Sequence, residues 1–433
     1  MRSLAIIGSG PAGFYTAEAA LKSFGEAVRI DIIDRLPTPY GLIRAGVAPD
    51  HQSIKAVSRR YDQVAADARV RFFGNVTVGT DVTIPELTGL YDDVVLAVGA
   101  PEDRPLGVPG AALPGVVGSA AFVGWYNGHP DFAGLAPPLD ADTTVVVGNG
   151  NVAIDCARIL AKTVAELQAS DIVNHALDPL TQSAIRRIHV LGRRGPHQAS
   201  FTLKEVGELG ELARATPLVR AEDFPPPAED AALEPGQRRV VEVLRRFAAA
   251  GPDATKPVTV SLDFFRRPIR VLGETQVEAL EVMRTRLDGD GKLHDTGETE
   301  IIPCGLLVAA IGYRTTAIPG VPFDEVAGRF VNTDGLIAPG LWCVGWARRG
   351  PSGTIGTNRP DGFALVDRIA ASPAKGNGTG RQGLDALLTA RKVAVAGFSD
   401  WQVIDALEIS RARAGAPREK IVELHELRSL FAD

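Results

Sequence analysis

The chain has 433 residues, enough for two large domains or about three average ones. Hydrophobic residues are 45% and charged residues 23%, which excludes disordered and fibrous architectures, and no apolar run nears the ~20 residues that span a bilayer. The net charge of -6 argues against nucleic acid as a partner, and three scattered cysteines (Cys156, Cys304, Cys343) argue against a disulfide framework, an iron–sulfur cluster, a zinc knuckle or a redox dithiol.

The first predicted strand starts at Leu4, with no basic region and apolar core before it, which points to a cytoplasmic protein. It runs into Gly8-Ser9-Gly10-Pro11-Ala12-Gly13, a G-x-G-x-x-G turn, followed by helical spacing at Phe14, Ala17, Leu21 and Phe24. In such a turn Gly8 permits the tight bend, Gly10 lets a pyrophosphate approach, and Gly13 allows close helix–strand packing. A second strand, Val28–Asp34, ends in the acid that bonds a ribose hydroxyl in this motif. Asp93–Gly99 reads as a buried strand, and the proline-rich Pro101–Pro114 as a domain boundary.

A second strand–turn–helix unit begins at Thr144 and carries Gly148-Asn149-Gly150-Asn151-Val152-Ala153, the G-x-G-x-x-A variant. The strand after it, Arg187–Leu191, ends in Gly192-Arg193-Arg194-Gly195-Pro196 where an acid would favour a free ribose diol. Two guanidiniums suit a 2′-phosphate instead, hence NADP over NAD. Two different nucleotide turns in one chain suggest FAD in the first and NADPH in the second. Phe224–Gln237 reads as a surface excursion, Leu306–Gly312 as a buried strand, Ser372–Gly383 as a flexible linker, and Leu384–Phe431 as helical. No metal-ligand cluster is evident. Arg238-Arg239, Arg245-Arg246, and Arg266-Arg267 with Arg270 read either as a basic patch for an acidic partner or as a solvated face of mixed charge.

Several longer segments carry a family likeness: Asp34–His51 (DRLPTPYGLIRAGVAPDH), Phe122–Asn127, Val146–Asp155, Gly192–Pro196 and Gly345–Asn358 (GWARRGPSGTIGTN). In this order they resemble the adrenodoxin reductase family of ferredoxin–NADP reductases, and Asp400–Leu407 resembles its bacterial members. The resemblance implies an α/β fold with two Rossmann-like dinucleotide-binding domains, the NADP domain inserted into the FAD domain. The corresponding limits are 1–104 and 323–371 for FAD, 105–322 for NADP, 372–383 for a linker, and 384–433 for a helical extension on the FAD domain. For FAD it implies Ala12, Gly13, Asp34 (where the family often has Glu), Leu42, Val78, Trp346 and Gly353-Thr354-Ile355. For NADP it implies Asn149 to Val152, Arg193, Arg194 and Glu205, with Gly353 near the nicotinamide.

His51 and Glu208 are implied near the redox centre, orienting nicotinamide or handling protons, and Asp155 is either part of that group or a helix-surface acid. The expected activity passes a hydride from NADPH to FAD and then single electrons to an acidic ferredoxin-type iron–sulfur protein. A flavin monooxygenase or a diaphorase for small acceptors uses the same cofactors and stays open at this point, as does a module that binds both nucleotides without turnover.

Overall fold

The computed structural model describes residues 1–376 and 378–431. Aliphatic runs in the first hundred residues form strands apolar on both faces, which a parallel sheet covered on either side requires. Arg2–Ile7 has its last four residues buried, and Asp93–Leu96 is buried throughout. These two lie at the centre of a six-stranded sheet in the order Leu336–Ala338, Leu341–Cys343, Asp93–Leu96, Arg2–Ile7, Val28–Ile33, Val70–Phe73. Only the Leu336–Ala338 pairing is antiparallel. Ile7 stands opposite Ile33, so the Gly8 turn and Asp34 emerge side by side at the sheet's carboxyl edge.

A second sheet repeats the arrangement. Its order is Val116–Gly118, Leu306–Ala309, Thr143–Val147, Arg187–Leu191, Val258–Asp263, Ala215–Val219, all parallel. Val147 is level with Leu191, which brings the Gly148 turn beside Gly192. A three-stranded antiparallel sheet, Arg266–Leu272, Ala279–Leu287 and Leu293–Pro303, lays Val271, Leu280 and Val282 against Val145 and Leu307 of this sheet.

The chain passes between the two sheets twice, and the passages lie together: Glu102–Asp103 pairs antiparallel with Tyr313–Arg314. Beyond Arg314, Ile318 and Val321 already pack in the cluster of Phe73 and Val94. The chain has therefore rejoined the first sheet before position 322, because its apolar residues there serve that core while the neighbouring prolines only shape a surface turn.

The stretch 372–383, read from its glycines as flexible, is tied down; its Asn377 lies outside the described residues. Gly376 N donates to Asp92 Oδ1 at 2.6 Å, and Gly380 N to the Leu90 carbonyl at 2.8 Å. A Cβ at Gly378 would collide with that same carbonyl, so this glycine serves close packing and not mobility. Residues 384–431 do pack on the first sheet's half, with Leu384 and Leu388 against Leu87 and with Trp401 and Ile404 near Tyr40. They also reach the other half. Arg413 donates to the carbonyls of Ser170 and Ile172 at 2.7 Å each. Lys420 Nζ lies 3.1 Å from Asp171 Oδ2, while Lys55 Nζ lies 2.7 Å from Asp171 Oδ1. One buried carboxylate thus holds two buried ammoniums, from opposite ends of the chain.

Candidate active site

The first glycine turn is built as its spacing requires. Gly8 has φ +109°, and a Cβ there would come 2.5 Å from the Ala97 carbonyl oxygen. A Cβ on Gly13 would strike the Gly8 carbonyl, whereas one on Gly10 would meet nothing within 4 Å. The helix Pro11–Phe24 starts at Gly10 with no side-chain cap, so its N-terminal N–H groups and dipole face open space beside Ala12. Asp34 Oδ2 accepts from Ser9 N (2.8 Å) and Ser9 Oγ (2.5 Å), and Oδ1 accepts from Leu36 N (3.0 Å). A carboxylate offers about four acceptor sites, so Asp34 pins the turn and keeps one acceptor site open.

Gly41 packs onto Gly10, which brings the 43% exposed Leu42 beside the turn. Val78 is partly buried past the strand Val70–Phe73, bridged to Val82. From the other end of the chain, a Cβ on Gly345 would come 2.7 Å from Ala12 Cβ, which places Trp346 against the turn. Trp346 stacks on Tyr313, with ring centroids 6.1 Å apart and planes at 26°. Its Nε1 donates to the Ser352 carbonyl, at the entry to the exposed Gly353-Thr354-Ile355 turn that leads into the helix Asn358–Ala371.

The second turn matches the first. A Cβ on Gly148 would strike the Ala310 carbonyl, one on Gly150 would meet nothing within 4 Å, and the helix Asn151–Ala161 likewise begins uncapped. Asn151 Oδ1 accepts from Thr202 N and the Asn149 carbonyl from Ser200 N, fastening the turn to the loop after Gly192–Pro196. Val152 opens the helix behind it. Arg193 and Arg194 are exposed, and neither has a carboxylate within 4 Å among the described residues. Glu205 is 8% exposed, and its Oε2 is buried without a hydrogen-bond partner.

These observations test the two nucleotides against the residues. Two glycine cradles that a Cβ would fill, two uncapped helix N-termini, a free guanidinium pair and an orphaned acceptor at Glu205 all fit FAD at the first turn and NADPH at the second.

His51 and Glu208 meet, although they come from different halves: His51 Nε2 is 3.0 Å from Glu208 Oε2. Sequence reasoning missed the residue that joins them. Arg158, 1% exposed, puts Nη2 3.0 Å from His51 Nε2, Nε 3.2 Å from Glu208, Nη1 2.7 Å from Asp50 and Nη2 2.9 Å from Asp155. Lys162 completes the group, 2.7 Å from Asp50. Burial raises the Asp50 carboxyl, but Arg158 and Lys162 outweigh it and hold the group well below the usual range. Burial also raises Asp155, and there Arg158 offsets it only in part. Asp155 is therefore part of the cluster, not a helix-surface acid. The signal for Arg158 was a lone charge among Cys156, Ile159 and Leu160 on a buried helix.

The basic patch read from arginine pairs breaks up. Arg266 is buried against Glu300, Arg267 pairs with Asp295, Arg270 with Glu281 and Arg245 with Asp230. Arg238 donates to three backbone carbonyls. Arg239 and Arg246 stay exposed without a carboxylate within 4 Å among the described residues, although the exposed Glu242 stands between them on the same helix. The three cysteines are buried and unpaired, and burial pushes the Cys304 and Cys343 thiols up to about 12.

Residues 2–192 match the pyridine nucleotide-disulphide oxidoreductase family. The chain is 42% identical to mouse mitochondrial NADPH:adrenodoxin oxidoreductase, across 99% of this chain and 91% of that protein. It is 39% identical to the NADPH-ferredoxin reductase FprA of Mycobacterium tuberculosis, with 98% of each covered. The solved structure of M. tuberculosis FprA in complex with NADPH superimposes with a TM-score of 0.95, covering both chains fully at 38% identity. No helix of the described residues is long and apolar enough to cross a membrane. The chain belongs to the family of NADPH:adrenodoxin oxidoreductases and NADPH–ferredoxin reductases.

Proposed function

We propose that this protein is an FAD-dependent NADPH:ferredoxin oxidoreductase. The observation that carries the reading is an uncapped glycine turn at the carboxyl edge of each sheet, with free guanidiniums beside only the second. The chemistry FAD supplies when bound is the exchange of a hydride, as NADPH carries it, for single electrons. Residues 1–104 and 315–371 form the FAD-binding part and 105–314 the NADP-binding part.

The chain's own work is placement and charge. The N–H groups at Ala12 and Gly13 hold one pyrophosphate, with Asp34, Leu42, Val78, Trp346 and Gly353–Ile355 lining the remainder of FAD. Asn149 to Val152 hold the other pyrophosphate, Glu205 accepts from a ribose hydroxyl, and Arg193 and Arg194 take the 2′-phosphate in forked hydrogen bonds. The cluster at His51 handles a proton. Its three carboxylates (Asp50, Asp155, Glu208) converge on Arg158, with Lys162 on Asp50 and Lys204 3.8 Å from Glu208, and His51 Nε2 lies between Glu208 and Arg158. That nitrogen can donate to Glu208 or accept from Arg158, so one group can take up or release a proton without moving.

The electron acceptor is an acidic ferredoxin-type iron–sulfur protein, which the exposed Arg239 and Arg246, seven residues apart on the helix Pro235–Ala250, support. The protein works in the cytoplasm. The test is direct: the purified protein is yellow, bleaches on anaerobic addition of NADPH, and reduces a two-iron ferredoxin at a rate that falls as ionic strength rises. A colourless protein that takes up no isoalloxazine would end this reading. NADPH oxidation that yields an oxygenated small molecule and leaves ferredoxin oxidised would favour a monooxygenase.

A further inference from the structure

The loop that bears Arg193 and Arg194 is held with unusual completeness, and nothing in the glycine turn explains that. Three consecutive carbonyls along it are each bonded from the neighbouring antiparallel sheet or the residue that leads into it. Arg266 N donates to Gly192 O (3.0 Å), Thr285 Oγ1 to Arg193 O (2.8 Å) and Phe265 N to Arg194 O (3.2 Å). Phe265 adopts φ +55°, a costly backbone for an aromatic residue, and its ring fills the space a Cβ on Gly195 would need, at 2.5 Å. Thr285 is 5% exposed, so its hydroxyl bond is made away from solvent.

The far end of the loop is gripped from another side. His197 Nε2 lies 2.7 Å from Asp230 Oδ1, and Arg245 binds the same carboxylate at 2.7 and 2.9 Å. Gln237 Nε2 donates to the carbonyls of His197 and Ala199. Asp230 and Gln237 belong to the proline-rich stretch Phe224–Gln237, which thus folds back over the loop, with Arg238 holding the carbonyls of Asp230, Ala231 and Leu233 in place. The arrangement fixes the main chain at every residue and leaves only the two guanidiniums free.

We infer that Thr285 and the His197–Asp230 contact are positioning residues for cofactor choice, holding the Arg193–Arg194 loop so that both guanidiniums converge on a 2′-phosphate. This rests on the reading above that Arg193 and Arg194 receive that phosphate. A bidentate pair depends on angle as well as charge, so a loop free to shift loses the second fork while keeping its net charge. The antiparallel sheet Arg266–Pro303 and the proline-rich strap then serve specificity, although neither touches the nucleotide.

The test uses the FAD-loaded protein and two inactive probes, 2′,5′-ADP and 5′-AMP, whose dissociation constants are measured by calorimetry. Thr285→Val should weaken 2′,5′-ADP about fivefold, the size of one lost hydrogen bond, while 5′-AMP stays within about twofold and Thr285→Ser restores the parent value. Asp230→Ala and His197→Gln should shift the ratio the same way. If Thr285→Val and Asp230→Ala weaken both probes equally, or neither, the positioning role is wrong. If Arg193→Ala with Arg194→Ala also leaves the preference for 2′,5′-ADP intact, the 2′-phosphate reading itself has failed, and this inference with it.

Discussion

His51 Nε2 and Glu208 Oε2 lie 3.0 Å apart, although 157 positions separate them and they hang from different sheets. The contact joins the two halves of the chain, and Arg158 touches both partners. Its geometry permits a proton to be exchanged there but offers no nucleophile.

Replacing His51 by Gln should therefore spare binding and slow turnover. FAD content and the dissociation constant for NADP are expected to stay near the parent values, while the NADPH-dependent rate of flavin reduction falls by up to about a hundredfold. Glu208→Gln keeps a hydrogen-bond partner for His51 but removes the carboxylate, and should slow flavin reduction likewise. Stopped-flow reduction by NADPH measures both; an unchanged rate in both variants would remove the proton-handling role.

The glycines of the first turn make opposite predictions. Gly13→Ala drives a methyl into the Gly8 carbonyl and should cost about 2 kcal/mol or more of stability, read by thermal or urea unfolding. Gly10→Ala has nothing to clash with and should fold normally. Its methyl occupies the pyrophosphate's place, so the protein should purify with most of its yellow colour gone. Full flavin content in Gly10→Ala would place the cofactor elsewhere.

Arg193→Ala with Arg194→Ala should raise the Michaelis constant for NADPH by more than about a hundredfold while changing that for NADH little, since two charge-assisted bonds to the 2′-phosphate are lost, each worth about 1.5–3 kcal/mol. Steady-state assays with a dye acceptor separate the two. Equal effects on both coenzymes would contradict the assignment.

Acid should weaken the fold through His129. Burial lowers its imidazole to about 4, and its Nδ1 accepts from Asp131 N, a bond only the unprotonated nitrogen can make. Below an unfolded value of about 6.5 the unfolded chain takes up a proton that the folded chain refuses, so stability is lost as pH falls from about 6.5 to about 4, by up to about 3 kcal/mol. Above that window the group is neutral in both states and contributes no slope. Urea titrations of the parent and His129→Asn at pH 7 and 5 should converge at the lower value; a parallel loss in both would assign the acid sensitivity to other groups.

Much of the site was legible because it depends on local backbone geometry. A G-x-G-x-x-G turn after a strand specifies its own bend, its close packing and its open side, and Gly8, Gly10 and Gly13 each take the part their spacing demands. That Arg193 and Arg194 stand exposed beside the second turn was legible too, from the strand Arg187–Leu191 that ends just before them. Arg158 was not, because its three carboxylates arrive from the loop before Gln52, from its own helix and from the helix Leu203–Leu209, a convergence no local pattern records. For the same reason the arginine pairs misled: charge was read along the chain, while Asp295 and Glu281 neutralise it across strands. Glycines at 372–383 were read as slack, yet Gly378 is there so that the chain can lie on the Leu90 carbonyl.

Asp171 has a single carboxylate for Lys55 and Lys420, and Asn127 completes their company. Opening the seam would part both lysines from Asp171 and break their hydrogen bonds to Asn127. Three groups from distant parts of the chain thus meet in one buried knot, which ties the last fifty residues and both dinucleotide-binding halves together.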